Sequence, residues 1–218
     1  MIELLRAGGN PHKVACEIFF GSKYTEEKDE KIKKTIYNKM KNGHFAMAYG
    51  AGLDKIAETL GLTYEEAYLG HAAYVERFPK VASLSRDTAI LARHNGYVTT
   101  PFGRRLYIQR DKAYSAINYL IQGTGSNMLK RAEIRVAEYC HAVWGDKIKI
   151  IMPIHDELIF EVDRSILGLE SDYISQLSRL MTDFKDYLKV PIEVEWKRTT
   201  TTWQKAKPLI IENVKEVK

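Results

Sequence analysis

The stretch KIKIIMPIHDELIFEV, residues 147–162, decides the fold of the second half of this sequence. Its two arms, 147–154 and 157–162, are rich in β-branched and other apolar residues, which favour strands. His155 and Asp156 interrupt the run at its centre, and Asp is common in turns. The pattern therefore predicts a strand, a tight turn and a second strand.

His155, Asp156 and Glu157 place an imidazole and two adjacent carboxylates at the tip of this hairpin. Carboxylate oxygens are the ligands that Mg²⁺ prefers, and one or two of them complete its octahedron together with substrate phosphates. The same residues could also form an ordinary turn. Taken alone, the triplet predicts a magnesium site and a simple hairpin tip about equally well.

The rest of the chain separates into a helical first part and a mixed second part. Apolar spacing, with glycine and proline at the ends, predicts helices at 13–20, 26–49, 53–60, 63–94 (with a break at Pro79), 124–144 and along the apolar face of 173–188. A hairpin is predicted at 97–108 and a last strand at 191–196. We therefore expect an α+β protein divided near residue 110.

One face of the helix predicted at 26–49 carries Lys41, Phe45 and Tyr49, which are spaced four residues apart. Lysine is a compact charge suited to a triphosphate. An aromatic ring can stack on a base, which contributes about 1–3 kcal/mol. An amphipathic helix with core aromatics and solvated lysines would show the same pattern, and on spacing alone that interpretation is favoured.

Two further pairs have the chemistry of nucleic-acid contacts. Asn118 and Gln122 precede the helix predicted at 124–144, and their amides could bind base edges in a minor groove. Gln122-Gly123-Thr124 could instead be a simple helix entry, with Thr124 as N-cap. Arg104-Arg105, at the bend of the first hairpin, would suit phosphate contacts or be exposed loop charges.

Composition constrains the function only loosely. The net charge of +5 suits a polyanionic partner, but many proteins without one share it. Cys16 and Cys140 are far apart in sequence and predict neither a zinc site nor a disulfide framework, so we expect a reducing compartment. The first residues contain no signal-peptide core, and the apolar run at 150–154 is too short to span a bilayer.

Several segments, in order along the chain, resemble the motifs of DNA polymerase family A, the bacterial DNA polymerase I type that includes phage members. They are NPHKVACEIFFG (10–21), the helix with Lys41, Phe45 and Tyr49-Gly50, GYVTTPFGRRLYI (96–108), INYLIQGTGSNMLKRA (117–132) and PIHDELIFEV (153–162). VPIEVEW (190–196), followed by Trp203, is similar to the family's C-terminal end.

The resemblance implies part of a right-hand polymerase fold, with helical fingers at 1–110 and the C-terminal, antiparallel-sheet part of the palm at 111–218. It implies DNA-directed DNA synthesis, in which the primer 3′-hydroxyl attacks the α-phosphorus of a dNTP and pyrophosphate leaves. Two Mg²⁺ ions would stabilise the attacking and leaving oxygens. Primer–template DNA and dNTPs would be the partners, with no membrane, in the cytoplasm of a bacterium or a phage-infected host.

The resemblance also implies roles for the catalytic candidates. Asp156 would be a metal ligand with Glu157 beside it, and His155 would lie near the primer end. His12 and Lys41 would hold the triphosphate of the incoming nucleotide.

The remaining candidates would contact the nucleotide base or the DNA. Phe45 would pack on the sugar and base of the dNTP, and Tyr49 would stack near the templating position. Asn118 and Gln122 would contact the minor-groove side of the new base pair. Arg104-Arg105 would contact the DNA backbone.

The chain departs from the family pattern at three places. Tyr37 and Tyr114 stand where the family has arginines. The first palm motif, a segment like DYSxxELR whose aspartate bridges both metals, should precede residue 10, and Ile2-Glu3-Leu4 echoes only its end. We therefore expect the C-terminal piece of a split or truncated polymerase, inactive until a separate chain supplies the first palm motif and the thumb.

Two other functions fit parts of the pattern. A non-catalytic module derived from a polymerase could bind primer–template or another replication protein, although such a module would not need His155, Asp156 and Glu157. A single-subunit RNA polymerase of the phage type shares the general layout, but Phe45 and Tyr49-Gly50, followed by Gln122-Gly123, fit the DNA enzymes better.

Overall fold

The computed structural model describes residues 1–209, apart from the side chain of Ala82. The chain forms two compact units, Met1–Gly123 and Thr124–Lys218. This division lies later than the boundary predicted near residue 110. The helix that begins at Ala116 crosses the division, and its first turns, up to Gly123, belong to the first unit. The assignment of 1–110 to fingers and 111–218 to palm stays a prediction.

The first unit is mainly helical. Its helices are α1 (Ile2–Arg6), α2 (Pro11–Phe20), α3 (Ser22–Thr25), α4 (Glu30–Ala48), α5 (Leu53–Leu60), α6 (Tyr64–Arg77), α7 (Pro79–Asn95) and the start of α8 (Ala116–Tyr139). Strands β1 (Tyr97–Thr99) and β2 (Arg105–Tyr107) form the predicted hairpin, in which Val98 pairs with Leu106. A short 3₁₀ helix, Arg110–Ser115, leads into α8.

Polar caps set the helix ends that matter for the site. Asn10 caps α2 and Asp29 caps α4, each by accepting backbone hydrogen bonds from the first turn. Thr63 and Glu66 form a reciprocal capping box at the start of α6. The cap at Asp29 explains why α4 begins at Glu30 and not at the predicted residue 26.

Helices α2, α4, α5 and α6 pack around one apolar core, whose buried residues include Ala15, Cys16, Met40, Ile56, Leu60, Ala67 and Tyr74. Glycines allow two close helix contacts: Gly43 of α4 lies against Leu60 of α5, and Gly70 of α6 lies against the ring of Phe19 in α2. A methyl carbon at Gly70 would lie 2.5 Å from Cδ1 of Phe19, well inside van der Waals contact.

The second unit joins the end of α8 to a hairpin and one more helix. Strands β3 (Ile148–Ile154) and β4 (Glu157–Val162) pair antiparallel, α9 spans Glu170–Thr182, and β5 (Lys197–Arg198) pairs with β6 (Lys207–Pro208). The core of this unit consists of Val136, Cys140, Ile148, Ile166, Tyr173, Ile174 and Leu177. The predicted α+β class and the central hairpin are confirmed.

The prediction that a helix begins at Thr124 is wrong. Helix α8 begins at Ala116, because Ala116 and Ile117 are buried and hold the first turn against the first unit. Gly123 does not precede the helix but lies within it, where its missing side chain leaves room for Leu106. Thr124 is therefore not an N-cap.

Two predictions near the C-terminal end of the chain are also wrong. Helix α9 ends at Thr182, so Tyr187 and Leu188 lie beyond it. Residues 191–196 form no strand, because within residues 1–209 no neighbouring strand pairs with them. Burial still alternates along this segment: Ile192, Val194 and Trp196 are half-buried and the glutamates between them are exposed, which is the two-residue period on which the prediction rested.

Cys16 and Cys140 are both buried free thiols. Within the described residues no helix has the length and apolar character needed to cross a bilayer. The cytoplasmic location stays a prediction.

We expect Gly70→Ala to destabilise the first unit by up to about 2 kcal/mol. Overpacking against the Phe19 ring costs about 1–3 kcal/mol, from which the gain of about 1 kcal/mol in helix propensity is subtracted. Gly125→Ala is the matched control, since it lies in α8 with no atom near its added carbon, and we expect it to stabilise the protein. Chemical denaturation measures both, and equal stabilisation by the two variants would contradict the packing.

Candidate active site

The first turn of α2 presents His12. Asn10 fixes this turn, because its Oδ1 accepts hydrogen bonds from the backbone nitrogens of His12 at 2.9 Å and Lys13 at 3.2 Å. Pro11 occupies the first helical position, where its missing N–H costs nothing. His12 is thus held at a defined position on the helix end, with its ring half-buried.

Helix α4 carries Tyr37, Lys41 and Phe45 along one face, and Tyr49 follows as the residue that ends the helix. Lys41 is exposed and forms no ion pair with any described residue. Phe45 is 45% exposed, so its ring is available to a ligand. The helix is strongly basic, with lysines at 31, 33, 34, 39 and 41.

The structure brings His12, Lys41 and Phe45 together. The ring centroids of His12 and Phe45 lie 5.4 Å apart in an edge-to-face arrangement. Burial, and then the positive charge of Lys41, lower the pKa of His12. An imidazole that is disfavoured as a cation, an ammonium and an exposed aromatic ring therefore lie side by side.

Sequence reasoning did not identify His44 and Tyr74 as part of this region. Nδ1 of His44 lies 3.0 Å from Nδ1 of His12, and Nε2 of His44 lies 2.7 Å from the hydroxyl of Tyr74. His44 is adjacent to Phe45 in the sequence but points into the core. No spacing rule connects it to His12 and Tyr74, each about thirty residues away.

Tyr37, which stands in the place of a family arginine, has a structural partner. Its hydroxyl accepts a hydrogen bond of 3.1 Å from Nδ2 of Asn10. The same asparagine caps α2, so Tyr37 ties the start of α2 to α4. The second such tyrosine, Tyr114, is 71% exposed.

The hairpin β1–β2 and helix α8 hold the candidate DNA-contacting residues. Arg104 and Arg105 are exposed, and the guanidinium of Arg105 lies 4.8 Å from the ring centroid of Tyr97. Asn118 and Gln122 are exposed and four residues apart on α8, which places them on one helix face.

The tip of the β3–β4 hairpin holds His155, Asp156 and Glu157. Ile154 pairs with Glu157, so His155 and Asp156 form a two-residue turn. His155 has φ of 53°, and within residues 1–209 it is the one non-glycine residue with positive φ. A β-bulge near Ile151 lies just before the tip, and bulges of this kind often re-aim side chains near sites.

Asp156 and Glu157 offer hard oxygen donors that suit Mg²⁺. Glu157 also lies 3.7 Å from the ammonium of Lys197, an exposed pair that contributes little to stability. Within the described residues no three His, Cys, Asp or Glu side chains converge on a possible metal position. The two carboxylates fit magnesium, but they would not complete its coordination by themselves.

The structure of this chain matches that of a polymerase domain. The POL domain of Pol1 from M. smegmatis, solved in complex with DNA primer-template and dNTP, superposes with a TM-score of 0.72 and 28% identity over 88% of this chain and 34% of that one. The chain therefore has the α+β polymerase fold.

Comparison with sequence families leads to the same assignment. The model for DNA polymerase family A matches residues 1–205, so the chain belongs to that family. The DNA polymerase of Mycobacterium phage D29 is 33% identical over 73% of this chain and 24% of its own length. The thermostable DNA polymerase I of Thermus aquaticus is 25% identical over 89% of this chain and 23% of its own length. This chain thus spans about a quarter of these relatives.

The positive φ at His155 predicts an order of stability among variants. His155→Asn should stay within about 0.5 kcal/mol of the parent, because asparagine tolerates this conformation. His155→Val should destabilise the hairpin by about 1–3 kcal/mol, because a β-branched residue is strained there. Denaturation of both variants tests this order, and a valine variant as stable as the asparagine variant would contradict the turn geometry.

Proposed function

We propose that this chain contributes the nucleotide-binding residues and part of the metal site of a DNA-directed DNA polymerase. The observation that carries the proposal is the convergence of His12, Lys41 and Phe45 on adjacent faces of α2 and α4. These side chains come from segments far apart in sequence, and their combined chemistry suits a dNTP. Membership of DNA polymerase family A supports the same function.

In the proposed complex the first unit binds the incoming nucleotide. Lys41 neutralises phosphate charge, and the neutral ring of His12 donates a hydrogen bond to a phosphate oxygen. Phe45 packs against the sugar and base, and Tyr49 lies toward the templating base. A bound triphosphate would add negative charge beside His12, offsetting the influence of Lys41 that disfavours the protonated ring.

In the second unit Asp156 and Glu157 would hold Mg²⁺, with two ions in the complete site, and His155 would lie near the primer end. When bound, the metal stabilises charge on the attacking and leaving oxygens. Because the ion pair between Glu157 and Lys197 is exposed, the Glu157 carboxylate can leave Lys197 and bind the metal at little cost. The positive φ at His155 supports a functional role for the tip, since such strain is common at active sites.

The DNA would be held by exposed polar groups of the first unit. Arg104 and Arg105 suit backbone phosphates, and Asn118 with Gln122 suits the minor-groove edge of the new base pair. Minor-groove acceptors differ little between base pairs, so such contacts would test the shape of a pair without reading its sequence.

We further propose that a carboxylate from outside these 218 residues completes the metal site. Asp156 and Glu157 lack a third ligand among the described residues. Strands β3 and β4 pair only with each other there, and Ile151 and Met152 are about half exposed. Unpaired edges with exposed apolar residues are usually covered by other chain segments. A separate chain with the first palm motif and thumb would supply both the carboxylate and a cover for the strand edges. A longer form of this polypeptide would do the same.

The alternative is a non-catalytic module that binds primer–template or a replication protein. A module of this kind could keep the basic face of α4 and the exposed groups of α8. It would gain nothing from a strained turn that presents two carboxylates, and on this ground catalysis is favoured.

Primer extension tests catalysis through Asp156→Asn. We expect loss of more than about 100-fold, since even losing an outer-shell partner of a metal ligand costs about 10–100-fold, with DNA affinity retained. Asp146→Asn, an exposed carboxylate of the same unit, is the control and should keep activity. Each variant is assayed alone and with a polypeptide carrying the first palm motif and thumb.

The outcomes separate the proposals. Extension only with the added polypeptide supports both catalysis and the outside carboxylate. Mg²⁺-dependent extension by the chain alone contradicts the outside carboxylate but not catalysis. No extension under either condition, with DNA still bound, favours the binding module. Faster incorporation of rNTPs than dNTPs would indicate an RNA polymerase.

Steady-state incorporation of dNTPs tests the role of Lys41. Losing one charged hydrogen bond to phosphate should lower kcat/KM by about 10–100-fold in Lys41→Ala. Lys39→Ala is the matched control, because Lys39 lies on the same helix but extends toward Gly61. Equal effects of the two substitutions would show only a general dependence on charge.

A further inference from the structure

A line of three side chains runs from the surface at His12 into the core at Tyr74. His12 and His44 approach through their Nδ1 atoms at 3.0 Å, and Nε2 of His44 meets the Tyr74 hydroxyl at 2.7 Å. His44 is 7% exposed and Tyr74 is 2% exposed, so both polar groups depend on this line for hydrogen bonds.

Burial keeps the members of this line neutral at pH 7. Burial, and then the nearby His12, lower the pKa of His44 to about 4. Burial raises the pKa of Tyr74 to about 12. The pKa of His12 is also lowered, so both imidazoles are neutral and each carries one ring proton. Each of the two contacts in the line then has one donor and one acceptor.

Counting the protons selects one direction. Within the described residues the Tyr74 hydroxyl has no hydrogen-bond partner other than His44. If Nε2–H of His44 donated to Tyr74, the hydroxyl proton would be buried without an acceptor, which is costly. The opposite direction uses every buried proton: Tyr74 donates to Nε2 of His44, and Nδ1–H of His44 donates to Nδ1 of His12.

We propose that His44, held by Tyr74, is a positioning residue that fixes the orientation and tautomer of His12. The ring proton of His12 then lies on Nε2, which is free to donate to a ligand. Resting on the proposed function, the ligand is a phosphate oxygen of the incoming dNTP. In this arrangement a buried tyrosine 62 positions from His12 in the sequence determines which nitrogen of His12 is a donor.

Nitrogen-15 NMR of the ring nitrogens tests the tautomers on the chain itself. We expect His12 protonated on Nε2 and His44 protonated on Nδ1. In Tyr74→Phe, which keeps the ring but removes the hydroxyl, Nε2 of His44 has no partner in either tautomer, so the preference of His44 for the proton on Nδ1 should weaken. His12 protonated on Nδ1 together with His44 protonated on Nε2 would overturn the proposal.

Nucleotide kinetics in the completed enzyme test the positioning role. His44→Leu should raise KM for dNTP about tenfold, the loss expected for one hydrogen bond, with a smaller change in kcat. His44→Asn retains an amide near the Nδ1 position, so its KM for dNTP should stay close to that of the parent. His71→Leu, a half-buried histidine of α6 outside this line, should behave as the parent.

Failure of the inference can be distinguished from failure of the proposed function. Equal KM for His44→Leu and the parent, or equal loss in the leucine and asparagine variants with normal folding, contradicts positioning. If the parent chain shows no extension even when completed, the role toward a dNTP is contradicted. The NMR result then still decides whether Tyr74 and His44 set the tautomer of His12.

Discussion

The packing of α2 against α4 is the constraint on which the candidate nucleotide site depends. Tyr37 accepts a hydrogen bond from the residue that caps α2, and His44 contacts His12 about two turns further along α4. Met40 is fully buried between these two contacts and anchors the same helix in the core, a burial that contributes about 1.5–3 kcal/mol. Because these contacts fix the rotation of α4 about its axis, they also determine the direction in which Lys41 and Phe45 point.

Sequence reasoning succeeded where the signal was local. The four-residue spacing of Lys41 and Phe45 predicted a shared face, and the apolar arms around His155 and Asp156 predicted the second hairpin. Both depend on residues close together in the chain. The strand predicted at 191–196 was wrong because a strand also requires a partner, and its alternating pattern contains no information about one.

Other features could not have been found from local patterns. His44 looks like any polar residue of an amphipathic helix, and only the fold brings Tyr74 to it. Tyr37 stands in the place of a family arginine, and only the fold shows that its hydroxyl accepts a hydrogen bond from Asn10 at the start of α2. Gly123 was taken as a helix boundary, whereas it lies inside α8 because Leu106 occupies the space of a side chain. Each of these features depends on a contact between segments that are distant in the sequence.

The central claim is that His12, Lys41 and Phe45 form a binding site for a nucleoside triphosphate. The most direct measurement is an NMR titration of the chain with a dNTP and Mg²⁺, following the ring of His12 and the backbone of α2 and α4. The account predicts saturable shifts centred on these three residues, with little change at His71 and His94. Shifts centred elsewhere, or no saturable binding, would contradict it.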